Sequence, residues 1–395
     1  MKAGWQIKTI GEVCEIVNGG TPKTGTKEYW GGPHQWITPA EMGKRSSPYI
    51  GETERTVTDA GLQNSSARML PPYSVILSSR APIGHLVINT EPMATNQGCK
   101  GLVPSEQIHY KFLYHYLSSI VGLLNDLGSG ATFKELSGGK LKEVGIPVPP
   151  LPEQQRIVRI LDEAFDGIAT AKANAEQNLQ NARALFESHL QSVFTQRGEG
   201  WEMRQLISLC SIFADSAHRT PKYQNEGIPA LRPRDVINGK LNLSTAARVS
   251  EQEYEIQSKR YKPKAGDIVY SRELSFGWAA LLPESPRVCL SQGMCIFRPS
   301  PDVDSTYLLY VLNGSIGREQ AARVAVGAAH PHINLGDIKS YLIPLPPLNV
   351  QKNIVQQLDL LREETQPLES LYQRKLGALD ELKKSLLHQA FSGAL

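Results

Sequence analysis

Residues 146–162 read IPVPPLPEQQRIVRILD, and residues 343–359 read IPLPPLNVQKNIVQQLD. The two stretches are identical at 10 of 17 positions and lie 197 residues apart. Internal similarity at a fixed offset is typical of a duplicated structural unit. The sequence therefore predicts two copies of one unit, in each of which a folded domain precedes a long helix.

Each proline-rich turn is followed by the pattern of a long helix. Proline fixes φ and lacks an N–H donor, so regular helix begins only after the last proline. Apolar residues then recur at steps of three and four for more than ~35 residues, a narrow stripe typical of a coiled coil. We assign to this seam Leu161, Ile168, Phe186, Leu358 and Leu379. Leu368 and Leu382 extend the stripe, and Pro367 predicts a kink or a broken turn.

The repeat divides the chain into four segments. Two β-rich domains are predicted at residues 1–145 and 198–342, and the two long helices at residues 146–197 and 343–395. Short apolar runs bounded by Gly and Pro predict strands within the domains. Examples are residues 74–78 and 266–271, and helical patches are predicted at residues 110–117 and 305–312.

Charge and cysteine content limit the class of protein. Residues 1–145 carry 14 basic and 12 acidic residues, and residues 197–342 carry 18 and 15, whereas the helical segments are acidic or neutral. Any contact with phosphate is therefore expected in the domains. Five cysteines without CxxC spacing argue against a disulfide framework and a zinc cage, and fit a reducing cytoplasm. We expect neither an export signal nor a membrane span.

Catalytic signatures are absent from the sequence. It contains no GxSxG, HExxH, GxGxxG or GxxxxGK[ST] pattern. Leu70-Pro71-Pro72-Tyr73 is similar to the NPPY sequence of adenine methyltransferases but has Leu where an amide must bind the flipped base. We interpret it as a Pro-Pro turn before a strand. His330 and His332 could form a metal pair, but loop histidines are the more frequent explanation of such a tripeptide.

Several of these features occur together in one known family. The order of domain, IPxPPL turn, long helix and a final Leu387–Gly393 segment resembles the DNA-specificity (S) subunit of type I restriction–modification enzymes. The most specific pieces are Ile146–Gln155 and the preceding Gly128–Thr132 segment. The resemblance covers the whole chain.

The resemblance implies an α+β fold with an internal pseudo-twofold repeat. Two target recognition domains would each read one half of a bipartite, asymmetric site in double-stranded DNA. The two helices would pack as an antiparallel coiled coil, separate the domains and dock two methylation subunits, with restriction subunits as a further candidate partner. This chain would hold no cofactor or metal and catalyse no reaction, because S-adenosylmethionine would bind to the methylation subunits.

Arg, Lys and polar side chains on loops are the candidates for DNA contact, because such groups bind base edges and phosphates. In the first domain the candidates are Lys23, Lys44, Arg45, Arg80, Lys100, Thr132 and Lys134. In the second domain they are Lys222, Arg232, Arg234, Arg272, His330 and His332. Lys23 with Lys222, and Arg80 with Arg272, occur in similar sequence contexts. For any single cation, a solvated surface charge is the alternative.

Three functions remain open from the sequence. The first is a DNA-reading subunit without catalysis. The second is a DNA methyltransferase or nuclease that acts alone, which the missing cofactor and metal patterns argue against. The third is a coiled-coil adaptor that binds only proteins.

Overall fold

The computed structural model describes residues 4–130, 134–217, 219–284 and 287–395. The chain forms two compact units. The first unit contains residues 1–175 and 374–395, and the second contains residues 176–373. Each unit therefore combines one domain with a stretch of each long helix.

Short strands and short helices precede the first long helix in the first unit. The strands are β1 (Gln6–Thr9), β2 (Cys14–Asn18), β3 (Trp30–Ile37), β4 (Tyr49–Ile50), β5 (Thr56–Val57), β6 (Val75–Ser79), β7 (Ile83–Asn89), β8 (Met93–Thr95), β9 (Cys99–Pro104) and β10 (Gly145–Val148). The helices are α1 (Ile10–Val13), α2 (Pro39–Met42), α3 (Asp59–Gln63), α4 (Tyr110–Ser119), α5 (Val121–Leu127) and α6 (Gly138–Lys142). The first long helix, α7 (Leu151–Thr195), follows β10 directly.

A five-stranded sheet organises the first domain. Its strand order is β2-β9-β6-β7-β4, beside a β5-β3-β8 sheet and a β1-β10 ribbon. One face of the large sheet packs against α4 and the start of α7 in a core that includes Leu77, Leu102, Phe112 and Leu161. The β1-β10 ribbon pairs the start of the domain with the strand that leads into α7.

The second unit likewise combines short strands and short helices with the second long helix. The strands are β11 (Glu202–Gln205), β12 (Cys210–Asp215), β13 (Tyr223–Gln224), β14 (Ile228–Leu231), β15 (Val236–Ile237), β16 (Lys240–Leu241), β17 (Ala247–Val249), β18 (Ile268–Ser271), β19 (Ala279–Leu281), β20 (Cys289–Leu290), β21 (Met294–Pro299) and β22 (Leu342–Leu345). The helices are α8 (Glu251–Gln257), α9 (Ser305–Asn313), α10 (Ser315–Val324) and α11 (Leu335–Lys339), and the second long helix is α12 (Leu348–Ser392).

The second domain repeats the central arrangement of the first. The sheet β12-β21-β18-β19 corresponds to β2-β9-β6-β7, and the ribbon β11-β22 corresponds to β1-β10. The predicted strands at 74–78 and 266–271 and the predicted helices at 110–117 and 305–312 are confirmed as β6, β18, α4 and α9. The Pro-Pro turn before β6 is also confirmed.

The two long helices run antiparallel wherever they meet. In the first unit, the Arg156 guanidinium donates to the Leu395 carbonyl at 2.8 Å, and Lys172 pairs with Asp380. In the second unit, Arg183 pairs with Glu369. Residue numbers rise along one helix as they fall along the other, so the antiparallel prediction is confirmed. No helix among the described residues has the length and apolar content that a bilayer crossing requires.

The seam differs in detail from the sequence prediction. Leu161, Ile168 and Leu358 are buried, and Phe186 and Leu379 are half-buried. Leu368 and Leu382 are exposed, so their assignment to the stripe was wrong, and Thr365 is buried instead. Helix α12 continues through Pro367 without a broken turn.

A buried glutamine explains the proline-rich repeat. In the first unit, Gln154 Nε2 donates to the carbonyls of Pro149 and Gln107, at 2.8 and 2.9 Å. Its Oε1 accepts from the His109 amide at 2.8 Å. The side chain therefore joins the turn before α7 to the loop before α4. We call this arrangement the glutamine clamp.

The second unit contains the same clamp around Gln351. Its Nε2 donates to the carbonyls of Pro346 and Asp302, and its Oε1 accepts from the Asp304 amide at 2.8 Å. Both glutamines are fully buried. The change from Pro-Glu-Gln to Asn349-Val350-Gln351 therefore leaves the clamp intact.

Candidate nucleic-acid interface

Backbone hydrogen bonds hold one end of the central sheet in the first domain. The Ser79 amide donates to the Gly98 carbonyl at 2.8 Å, and the Leu136 amide donates to the Ser79 carbonyl at 2.9 Å. An isolated β-bridge joins Arg80 to Glu135. We call this arrangement of backbone groups the sheet-end frame.

The second domain forms the same frame. The Arg272 amide donates to the Gly293 carbonyl at 2.8 Å, and the Ile333 amide donates to the Arg272 carbonyl at 2.9 Å. A β-bridge joins Glu273 to His332. Each backbone bond of one frame therefore has a counterpart in the other.

The frame corrects the predicted pairing of arginines. By hydrogen bonding, Arg272 occupies the place of Ser79, and Arg80 occupies the place of Glu273. The pairing of Arg80 with Arg272 was therefore wrong by one residue. Successive side chains of a strand point to opposite faces, so a shift of one residue gives the two arginines different environments.

Lys100 lies buried at the first frame. It pairs with Leu77 in the register of β6 and β9 and shares a sheet face with Leu102, two residues along the strand. Only 6% of Lys100 is exposed, and among the described residues its ammonium group has no hydrogen bond or ion pair. Burial lowers the pKa of Lys100, although the charge of Glu135 opposes this effect. The neighbouring Ser79 hydroxyl is also buried without a partner in the described part of the chain.

A turn brings further polar groups to the first frame. Asn96 Oδ1 accepts from the Gly98 amide at 2.8 Å, and Asn96 Nδ2 donates to the Thr21 hydroxyl at 2.9 Å. A Cβ atom on Gly98 would lie 3.0 Å from Arg80 Nε, so glycine allows the arginine to pack there. These contacts connect Arg80 with the exposed loop that carries Lys23.

The cation of the second frame is neutralised within the domain. Arg272 Nη1 lies 2.6 Å from Asp215 Oδ1, and the two side chains are only 14% and 10% exposed. Arg272 Nε also donates to the Ile333 carbonyl. Strand register places Asp215 where the first domain has Asn18, and Cys295 where it has Lys100. The two frames thus differ in charge although their backbones correspond.

Four other predicted cations also have partners inside their domains. Arg80 Nη1 lies 3.9 Å from Glu135 Oε2, and both side chains are partly exposed. Arg45 pairs with Glu41 at 2.8 Å, and Lys44 pairs with Glu54 at 3.0 Å. Arg232 binds Asp235 and the Thr245 carbonyl. The predicted side chains that stay exposed without an ion pair in the described part of the chain are Lys23, Lys134, Lys222, Arg234, His330 and His332. Thr132 lies outside the described residues.

Two exposed glutamines were missed as candidates. Gln97 precedes Gly98 at the first frame, and Gln292 precedes Gly293 at the second. The repeated Gln-Gly pair in the sequence was the available signal. Glutamine can bind adenine through both its donor and its acceptor, so an exposed glutamine at the frame can contact a base edge.

Neither metal nor thiol chemistry is evident in the described residues. These residues contain no cluster of three or more His, Cys, Asp and Glu side chains placed to hold a metal ion. His330 and His332 are exposed in a loop. Cys289 and Cys295 are free and buried, and burial raises the pKa of Cys289 to about 12.

Sequence comparison matches both halves of the chain to one family. Residues 2–181 and 198–373 match the model described as type I restriction modification DNA specificity domain. The MjaIX specificity subunit of Methanocaldococcus jannaschii is 28% identical, over 99% of this chain and 93% of its own length. The EcoBI specificity subunit of Escherichia coli is 23% identical, over 82% and 74%.

Solved structures share the fold. A chain from a study of complex assembly and conformational transition of the type I R-M system superposes with a TM-score of 0.79 at 19% identity, covering 100% of this chain and 99% of that one. The HsdS subunit of Thermoanaerobacter tengcongensis gives 0.57 at 20% identity, covering 100% and 98%.

Proposed function

The chain belongs to the family of type I restriction modification DNA specificity domains, and we propose that its two domains recognise different parts of one DNA target. The chain is the DNA-recognition subunit of a type I restriction–modification system. The domains at residues 1–145 and 198–342 each bind one half of a bipartite, asymmetric target. The observation that carries this proposal is the sheet-end frame, which has the same backbone bonds in both domains but different charged side chains.

In the first domain, Lys100 and Arg80 contact acceptor groups of the DNA. The Lys100 side chain is largely buried and its ammonium group has no hydrogen bond or ion pair in the described part of the chain, so a phosphate or guanine acceptor would supply hydrogen bonds that the domain does not. Lys23 and Lys134, which are exposed, contact the sugar–phosphate backbone. Most protein–DNA hydrogen bonds have this positioning role.

In the second domain, Arg272 positions the frame, since Asp215 already binds its guanidinium. The exposed Lys222, Arg234, His330 and His332 contact the DNA instead. Gln97 and Gln292, the glutamines common to both frames, make an equivalent contact in each half-site. The two half-sites therefore share this contact and differ at the positions read by the charged side chains.

The partner proteins are two methylation subunits, and restriction subunits complete the system. Support for two equivalent docking sites comes from the glutamine clamps, which attach each domain to its long helix through the same bonds. Exposed residues of the helices, such as Arg159, Glu163 and Arg374, are candidates for the docking surface. S-adenosylmethionine binds to the methylation subunits.

We propose that this chain catalyses no step and acts in the cytoplasm. The described residues offer no metal cluster, and their cysteines are free thiols, as in proteins of reducing compartments. Methyl transfer to DNA by the purified chain alone would contradict the first statement.

The test is a footprint of the chain assembled with its methylation subunits. We expect protection of two short segments on one duplex, with affinity that falls steeply as salt rises because cations replace counterions on phosphates. Association with protein subunits but no sequence-specific footprint would support an adaptor that binds only proteins.

Substitution of Lys100 sharpens this test. Lys100→Met removes a charge from a largely buried side chain that makes no hydrogen bond or ion pair in the described part of the chain, so we expect a fold about as stable as the original. DNA binding should weaken by about tenfold, since a good base contact contributes ~1–3 kcal/mol. Lys8→Met, on β1 in the β1-β10 ribbon, is the control for loss of one charge. Unchanged DNA affinity of the Lys100 variant would exclude Lys100 from the interface.

A further inference from the structure

Two charged contacts flank the apolar seam of the long helices in the first unit. Lys172 Nζ on α7 lies 2.5 Å from Asp380 Oδ1 on α12. The hydrogen bond from Lys172 also lowers the pKa of Asp380. Lys383 Nζ on α12 lies 4.9 Å from the centre of the Phe165 ring on α7. The first unit thus has one ion pair and one cation–π contact between the helices.

The second unit has the same two kinds of contact between the same helices. Arg183 Nε on α7 lies 3.1 Å from Glu369 Oε2 on α12. The Arg362 guanidinium on α12 lies 5.4 Å from the centre of the Phe186 ring on α7. In both units, α7 supplies the base of the ion pair and the aromatic ring, and α12 supplies the acid and the stacked cation.

The 197-residue repeat relates these positions but not their chemistry. Lys172 corresponds to Glu369, and Arg183 corresponds to Asp380. Phe165 likewise corresponds to Arg362, and Phe186 to Lys383. Where α7 has a base, the corresponding residue of α12 is an acid. Where α7 has an aromatic ring, the corresponding residue of α12 is a cation.

This exchange determines what each helix can pair with. Two copies of α7 in the same antiparallel register would place Lys172 against Arg183 twice. Two copies of α12 would place Glu369 against Asp380 twice and Arg362 against Lys383 twice. Like charges at such positions oppose pairing, whereas opposite charges select the partner of a coiled coil.

The apolar seam does not make this distinction. Leu161 packs in the same core as Leu387, and Leu358 packs in the same core as Leu190. Under the repeat, Leu161 corresponds to Leu358 and Leu190 to Leu387, so a pair of identical helices would form the same leucine contacts. Burial of the seam therefore provides affinity, and the flanking charges provide the choice of partner.

We propose that these four contacts form a pairing code, which allows α7 to pair only with α12 of this sequence and prevents either helix from pairing with a second copy of itself. The code excludes assemblies built from two copies of one half of the chain, which would carry two identical domains. It keeps one domain of each kind in every assembly. This pairing of the helices does not depend on what the domains bind.

The test uses the full chain, folded and then cut at a protease site introduced in the exposed connection 196–200. The two parts are allowed to exchange in mild denaturant at low salt and are counted by native mass spectrometry. We expect first–second pairs to exceed either homodimer by about tenfold, because two attractive contacts replace two repulsive ones. Homodimers at statistical frequency would overturn the proposal.

Lys172→Glu should allow two copies of α7 to pair with each other. In this variant the new carboxylate at position 172 of each α7 helix would meet Arg183 of the other copy, so an α7 pair would gain two ion pairs. First-part homodimers should therefore increase several-fold. Arg159→Glu makes the same change of charge on an exposed position of α7 and should leave the homodimers rare. Equal behaviour of the two variants would overturn the proposal.

Urea denaturation of the uncut chain tests the same contacts without requiring the separated parts to refold. Lys172→Glu with Arg183→Glu should lower the urea midpoint, and adding Glu369→Arg with Asp380→Lys should restore it. High salt should reduce both effects, since these side chains are partly exposed. A fourfold variant no more stable than the twofold variant would also overturn the code.

Discussion

The two sheet-end frames share their backbone bonds and differ in their side chains, whereas each glutamine clamp uses a buried glutamine side chain and an equivalent set of three backbone partners. Ser79, Arg80 and Lys100 in the first frame correspond to Arg272, Glu273 and Cys295 in the second. Backbone amides and carbonyls are present whatever the side chain, so a frame built from them tolerates exchange of its side chains. One fold can therefore vary the side chains at its sheet end while the attachment of each domain to its helix stays constant.

Substitution by alanine at the equivalent positions Arg272 and Ser79 should affect the stability of the fold very differently. Arg272→Ala leaves Asp215 buried without its arginine, and loss of one partner of a buried ion pair costs about 3 kcal/mol of unfolding free energy. Ser79→Ala removes a hydroxyl that has no partner in the described part of the chain, so we expect a change below about 0.5 kcal/mol. Urea denaturation measures both. Equal losses would show that the frames do not differ in this way.

The glutamine clamps should respond alike. Gln154→Ala and Gln351→Ala each remove three buried hydrogen bonds and leave buried backbone groups unpaired, so each should cost about 2–3 kcal/mol. Gln155→Ala, at the exposed neighbouring position, is the control and should change little. Chemical denaturation with a probe in each domain measures the effects. A clamp variant as stable as the control would contradict the shared role.

A smaller difference concerns the carboxylates on the long helices. Asp162 binds His115 and Lys111 in the first unit, and Asp359 accepts from the Tyr310 hydroxyl at 2.5 Å in the second. Burial by itself raises the pKa of Asp162, but the bonds from His115 and Lys111 outweigh it and hold this pKa below its usual value. Such a carboxylate stabilises the fold above the unfolded pKa of about 4 and loses that effect as pH falls through the folded pKa.

Asp162→Asn should therefore lower the unfolding free energy by about 1 kcal/mol near pH 7, and by less below about pH 4. Urea denaturation at both pH values measures the change. Asp359→Asn is the matched variant, because an amide oxygen can still accept the Tyr310 bond, and we expect a smaller loss. A cost for Asp162→Asn that is independent of pH would contradict the role of the charge.

Local patterns in the sequence predicted much of the architecture. The strands β6 and β18, the helices α4 and α9, and both long helices follow from apolar spacing and proline positions, which act within a few residues. The candidate site was predicted less well. Arg272 and Arg232 resembled free loop cations in the sequence, but Asp215 and Asp235 bind them in the structure.

The repeat and its helical periodicity depend on neighbouring residues, so the duplicated domain-and-helix unit is evident from the order of amino acids alone. The three-dimensional fold was needed to show that Arg272 occupies the place of Ser79, that Lys100 is largely buried without a partner among the described residues, and that α7 and α12 carry complementary charges. Strand register and ion pairing join residues far apart in the chain, and a shift of one residue along a strand reverses the face on which a side chain lies.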